Sequence, residues 1–183
     1  MCLSAEVSLT AFVFCSVVCI FLYNRNKPND RWIALCAFYL GLMQLLEYFM
    51  WIDQECSGLN QLATNLGFYH NILQPFISIL VAFFMIKNIP NWSWLILIIY
   101  ILYSLPKIFA EKKENQCSLP CPGNKVGLTW DYTKTEQAMV VWIIFAIALT
   151  TPLLLMKTNG TIYFSLLLGI FLLSSLIAKT TCK

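Results

Sequence analysis

Charge is what this chain has least of. Twelve Lys and Arg and nine Asp and Glu make up 11% of its 183 residues, where a soluble domain carries about 25%. With 59% hydrophobic residues and a mean hydropathy of +0.70, a fold of this length could not hide its apolar surface from water. A soluble partner-binding module is therefore excluded, and the expected solvent is lipid. The lone histidine excludes the multi-histidine lipid hydrolases, and the lack of any C-x-x-C pair excludes vitamin-K-reductase-like redox chemistry. No lysine lies mid-span to carry a retinal Schiff base. A net charge of +3, with no basic stripe, zinc-finger spacing or Gly-rich phosphate loop, gives no reason to expect a nucleic-acid partner.

What is present is long apolar runs. They predict an all-α membrane bundle in one domain over residues 1–183, with six spans at Leu3–Tyr23, Trp32–Ile52, Leu62–Ile86, Trp92–Phe109, Gln137–Met156 and Thr161–Ala178. Each approaches the ~20 residues that a ~30 Å hydrocarbon core needs. The first run lacks the basic n-region and cleavage site of a secretory signal. Trp32, Trp51, Trp92 and Trp94 fall at span ends and read as interfacial belts, with Trp142 the exception inside the fifth span. Loop one (Asn24–Arg31) holds Arg25, Lys27 and Arg31, whereas loop two (Asp53–Gln61) holds Asp53 and Glu55 and no base. The positive-inside rule then makes loop one cytoplasmic and puts both termini on the opposite, extracytoplasmic side. The outer loop between spans four and five covers 110–136.

Cys56, Cys117 and Cys121 all fall in loops of that expected outer side, where an oxidising compartment favours a disulfide. Either Cys117–Cys121 or Cys56 with one of them fits. Cys15, Cys19 and Cys36 lie within spans and read as small packing residues. Ala37 with Gly41, and Ser165 with Gly169, are small pairs at i, i+4 that let helices approach closely.

Against this apolar background, a few polar side chains stand out. An intramembrane charge costs at least ~2.5 kcal/mol and is usually kept for a purpose. Glu6 shares a face of span one with Cys2 and Thr10. Gln44, Glu47 and Trp51 share one on span two, with Glu47 roughly 7–8 Å below the end of the helix. Gly67, His70, Asn71, Gln74 and Ser78 form a third stripe on span three, where Pro75 frees the carbonyl of Asn71. Tyr100, Tyr103, Ser104 and Lys107 on span four, and Ser174 and Ser175 on span six, could complete the lining. Counting from span ends puts the first three stripes at one depth in the outer half, which reads as a polar pocket of Glu6, Gln44, Glu47, Trp51, His70, Asn71 and Gln74. Two plainer readings stand beside it: Glu6 as a solvated interfacial residue, and Glu47 with His70 as a pair that only fixes helix register.

The opening Met1-Cys2-Leu3-Ser4-Ala5-Glu6-Val7-Ser8 and the later Gln44-x-x-Glu47-x-x-x-Trp51 resemble a family of small multi-pass membrane proteins from large DNA viruses, algae and other microbes. The resemblance covers about the first three spans and implies no activity.

Three functions follow as expectations. The first is a transporter or channel that binds or passes a proton, a cation or a small polar solute, with Glu47 and His70 as the central pair. The second is an intramembrane enzyme acting on a lipid or quinone, with Cys2, Glu47 and His70 as a site that zinc could occupy. The third is a structural subunit of a virion or membrane complex that docks through the Cys117–Tyr132 loop. The expected partners are the lipid bilayer, a small solute or ion, and further copies of the chain.

Overall fold

The computed structural model describes residues 4–86, 90–110, 116–121, 127–128, 138–155 and 169. Among them the chain forms five α-helices and no strand: α1 (Ala5–Arg25), α2 (Asp30–Ile52), α3 (Leu59–Met85), α4 (Trp92–Ala110) and α5 (Ala138–Thr150). Helices α1, α2 and α3 are each long and apolar enough to cross a bilayer. The expected spans one to five thus recur as helices, shifted by a few residues at their ends. The sixth, Thr161–Ala178, falls outside the described residues save Gly169.

Local chemistry sets the ends. Ser4 caps α1, its hydroxyl accepting from the Val7 N–H at 3.3 Å. Asn26 and Asn29 adopt left-handed φ values of 53° and 70°, which Asn tolerates better than most residues, and between them the chain reverses into α2. Thr150 and Thr151 bond back to the Ala146 and Ile147 carbonyls at 2.7 Å. Pro152, with no N–H to donate, sits in the 3-10 turn Thr151–Leu155 that follows α5.

Three inter-helix contacts fix the register of α2 against α3. Trp32 Nε1 donates to the Ser78 carbonyl at 3.2 Å, His70 meets the Tyr39 carbonyl at 2.8 Å, and Asn60 Nδ2 donates to the Met50 carbonyl at 2.9 Å. The helices are antiparallel and in contact along their whole length. Trp32 is accordingly only 4% exposed rather than lying in an exposed belt.

Helix α1 packs on the other side of α2. A Cβ added at Gly41 would come within 2.8 Å of Cys15 Sγ, and that thiol donates to the Ala37 carbonyl at 3.4 Å. The small pair expected to admit a neighbouring helix does so. At Gly169 an added Cβ would meet nothing within 4 Å among the described residues. The outward face of α1 is apolar, with Phe14 71% and Ile20 62% exposed. Helix α4 runs antiparallel to α3: the Tyr100 hydroxyl donates to the Ile72 carbonyl at 2.7 Å, and Trp94 stacks on Phe83 with ring centroids 3.9 Å apart.

Candidate functional site

The buried stripe of α3 runs Asn60, Ala63, Thr64, Gly67, His70, Gln74, Ser78 and Ala82, and its polar members divide into two groups. The lower group centres on His70. A carbonyl can only accept, so His70 donates from Nε2 to the Tyr39 carbonyl at 2.8 Å. Its Nδ1 then accepts from Gln74 Nε2 at 3.2 Å, and the same amide donates to Asn71 Oδ1 at 3.2 Å. The imidazole also stacks on the Tyr39 ring, centroids 4.5 Å apart. Both ring nitrogens are engaged, and the side chain ties α2 to α3.

Glu47 does not join His70. It lies eight residues beyond Tyr39 on α2, which is about 12 Å along the axis. At that level it faces the part of α3 near Ala63, between Met43 and Met50 on the same stripe of α2. The arrangement corrects the expectation of one shared depth. The sequence count started α3 at Leu62, but the helix begins at Leu59, so His70 sits eleven residues in, about 16 Å from the end. Glu47 is only five residues from the end of α2.

Glu47 itself is 4% exposed, and neither it nor Gln44 is free. Trp51 stands one turn beyond Glu47, and its buried Nε1 has no hydrogen-bond partner among the described residues. Ser8 of α1, fully buried, lies near the same level by the Cys15–Gly41 and Arg25–Asp30 register. Glu6 is exposed in the first turn of α1, beside the Ser4 cap, and is not drawn into the bundle. The proposed Cys2–Glu47–His70 metal set is not assembled: Cys2 lies outside the described residues, and the other two are on different levels. Among the described residues no group of three metal-ligating side chains occurs. Lys107 (its side chain) and Ser174 and Ser175 also lie outside what is described.

The upper group was not foreseen in the sequence. Segment 116–121 folds over the open end of α2 and α3, held by a Cys56–Cys117 disulfide. This selects one of the expected pairings and rules out Cys117–Cys121. Beneath it the fully buried Asn60 donates Nδ2 to the Met50 and Ser118 carbonyls, both at 2.9 Å. Its Oδ1 accepts from the Ser118 N–H at 2.9 Å and from Thr64 Oγ1 at 3.0 Å. Ser118 Oγ completes the ring with Thr64 Oγ1 at 3.1 Å. Leu128, 1% exposed, joins the Met43–Met50–Ala63 cluster. The sequence trace of this cap was the expected pairing of Cys56 with Cys117; Asn60, Thr64 and Ser118 gave no signal of their own.

Asp53 anchors the same cap. Gly58 offers α3 no side-chain cap, and Asp53 supplies one from the loop. Its carboxylate accepts from the Asn60 N–H at 2.8 Å and from the Ser57 N–H and hydroxyl at 2.9 Å. The Asn60 and Ser57 amides hold its pKa down at about 2 from 3.8. A depressed carboxylate stabilises the fold above its unfolded pKa and loses that contribution as pH falls through the folded one. Acidification from about pH 4 to about pH 2 will therefore lower the thermal midpoint of the purified protein. Asp53→Asn will flatten that dependence, and equal slopes in the two proteins would refute the assignment.

No curated protein and no solved structure matches this sequence. One family model does, across residues 6–111, which take in α1 to α4 with Gln44, Glu47, Trp51 and His70. That match covers more than half of the chain, which therefore belongs to a family of unknown function, DUF5765.

Proposed function

We propose that the protein is an integral membrane protein of six spans that binds, and passes or presents, a small polar solute or ion at Glu47. The observation that carries the reading is a carboxylate 4% exposed on an apolar helix, one turn from a buried indole N–H lacking an acceptor among the described residues. An ionisable group at such a position is costly and marks a site more often than a packing contact. A carboxylate accepts hydrogen bonds or a cation, whereas an indole only donates. Together they suit a solute that carries a donor or positive end and an acceptor. His70 drops out of the binding role, and Gln44 remains beside Glu47 as the supporting amide.

Two independent features support the orientation, with Arg25, Lys27 and Arg31 on the cytoplasmic side and both termini opposite. The basic loop lies at one end of the α1–α2 pair, and the disulfide-held cap lies at the other. The binding site then opens toward the oxidising side.

Reconstitution into liposomes tests the function, reading proton flux with an entrapped dye and the uptake of small ammonium and amide solutes by osmotic swelling. Glu47→Gln is expected to lower the active flux by at least about tenfold, the equivalent of one hydrogen bond to a charged group. His70→Gln will change stability more than flux. Unaltered flux in Glu47→Gln, or none in the wild type above empty vesicles, rejects the reading.

A second reading, a structural subunit, draws on the satisfied His70–Gln74–Asn71 cluster and the stapled cap. It is the one to adopt if the wild type transports nothing.

A further inference from the structure

The α1–α2 loop end carries a feature unrelated to Glu47. Between the last turns of α1 and the first turns of α2 lies a cleft of about 180 Å³. Its walls are apolar save for Asn24 at the loop end: Cys19, Ile20 and Tyr23 from α1, and Ala34, Leu35 and Phe38 from α2. Phe38 and Tyr23 remain 41% and 42% exposed, so the cleft is open along its length.

Basic groups rim its loop end, and they are not equivalent. Arg25 is committed, with Nε and Nη2 on the Asp30 carboxylate at 2.7 and 2.8 Å. Asp30 also accepts the Lys27 N–H at 2.9 Å, so its charge is spent locally. Arg31 is exposed and lies over the Tyr23 ring, 5.1 Å from the centroid, at the mouth of the cleft. Among the described residues neither Arg31 nor the Lys27 ammonium has a carboxylate partner. An apolar slot thus ends at a loop where three basic groups, Arg25, Lys27 and Arg31, face the single Asp30 carboxylate, a net charge of about +2.

We infer that this cleft seats one anionic phospholipid, an acyl chain lying along Ile20, Leu35 and Phe38 and the phosphate meeting Arg31 and Lys27. The charge pattern selects the occupant: a zwitterionic lipid would fill the slot equally well but would bring no net negative charge to the rim. The inference rests on the proposed membrane orientation, in which this loop faces the leaflet that carries anionic lipid.

The test uses full-length protein purified from mixed vesicles of equal phosphatidylglycerol and phosphatidylcholine, with retained lipid counted by native mass spectrometry. The wild type is expected to keep one phosphatidylglycerol in preference to phosphatidylcholine. Arg31→Gln and Lys27→Gln should each reduce that preference about fivefold, the change to which about 1 kcal/mol per basic group near a bilayer surface corresponds. Leu35→Trp, which fills the slot, should remove the bound lipid of either kind. Because Arg31 and Lys27 are exposed, their variants will fold even if Leu35→Trp does not. Equal retention of both lipids by the wild type, or an unchanged preference in both charge variants, overturns the lipid site. Failure of the protein to float with vesicles overturns instead the membrane reading beneath it.

Discussion

Replacing Cys56 and Cys117 with serine will lower the stability of the folded bundle by about 2–3 kcal/mol, toward the lower part of the range for native disulfides. The bond closes a loop with a sequence separation of 61, for which a free-chain entropy model gives about 4 kcal/mol. Much of that loop, however, is α3 and α4, and under the proposed membrane reading lipid would keep them helical even when tertiary packing is lost, because unpaired backbone groups are so costly there. Two rigid rods and their linkers have less freedom to lose than a flexible chain. The thermal midpoint in detergent will therefore fall in the double serine variant, and reductant will lower the wild-type midpoint at least as far, since Cys121 is disulfide-bonded as well. The disulfide also reports sidedness. After reduction, a membrane-impermeant maleimide added from the oxidising side will label Cys56 and Cys117 but not the buried Cys19 and Cys36. A double variant that melts with the wild type, or labelling from the side of the basic loop, contradicts this account.

The helices were legible because their cause is local. A run such as Ala5–Arg25 is apolar on every face and ends at asparagines that accept left-handed backbone. Gly41 likewise announced a close approach that Cys15 fills. Depth was less legible, since it was counted from assumed helix ends, and three residues at the start of α3 amount to about 4.5 Å. The true register comes from Trp32–Ser78 and Met50–Asn60 contacts between positions 46 and 10 apart in sequence, which no periodicity reveals. Trp32 was misread for a related reason. A tryptophan near a span end suits an interfacial belt and an inter-helix hydrogen bond equally well, and only the neighbouring carbonyl decides. His70 met the same ambiguity, and the Tyr39 carbonyl resolved it toward structure. Glu47 retained its place as the costly buried carboxylate, because that expectation needed composition and span alone.

The cap shows what a sequence conceals most completely. Asn60 looked like an unremarkable polar residue near a helix start, yet its side chain makes four hydrogen bonds, to the Met50 and Ser118 carbonyls, the Ser118 N–H and the Thr64 hydroxyl. Asn60→Ala will cost about 2–4 kcal/mol, less than four separate losses at about 1 kcal/mol each plus a full set of desolvation penalties. The reason lies in which partners are stranded. The Ser118 N–H keeps Thr64 Oγ1 at 3.0 Å, and the Met50 carbonyl keeps Gln54 Nε2 at 2.6 Å. The Ser118 carbonyl loses the Asn60 amide, its one hydrogen bond among the described residues. Asn60→Asp will be worse than Ala, for it turns the two donors facing carbonyls into an acceptor and buries a charge. Both variants should expose segment 116–121 to protease and make the Cys56–Cys117 bond easier to reduce. Because the disulfide and Asn60 hold the same segment, their effects should not add: once the chain at Ser118 is released by one change, the other has less left to lose. Thermal midpoints of the Asn60→Ala protein, the double serine variant and their combination measure this directly. Strict additivity would mean that Asn60 stabilises α2 against α3 alone, and that the cap rests on its covalent tether.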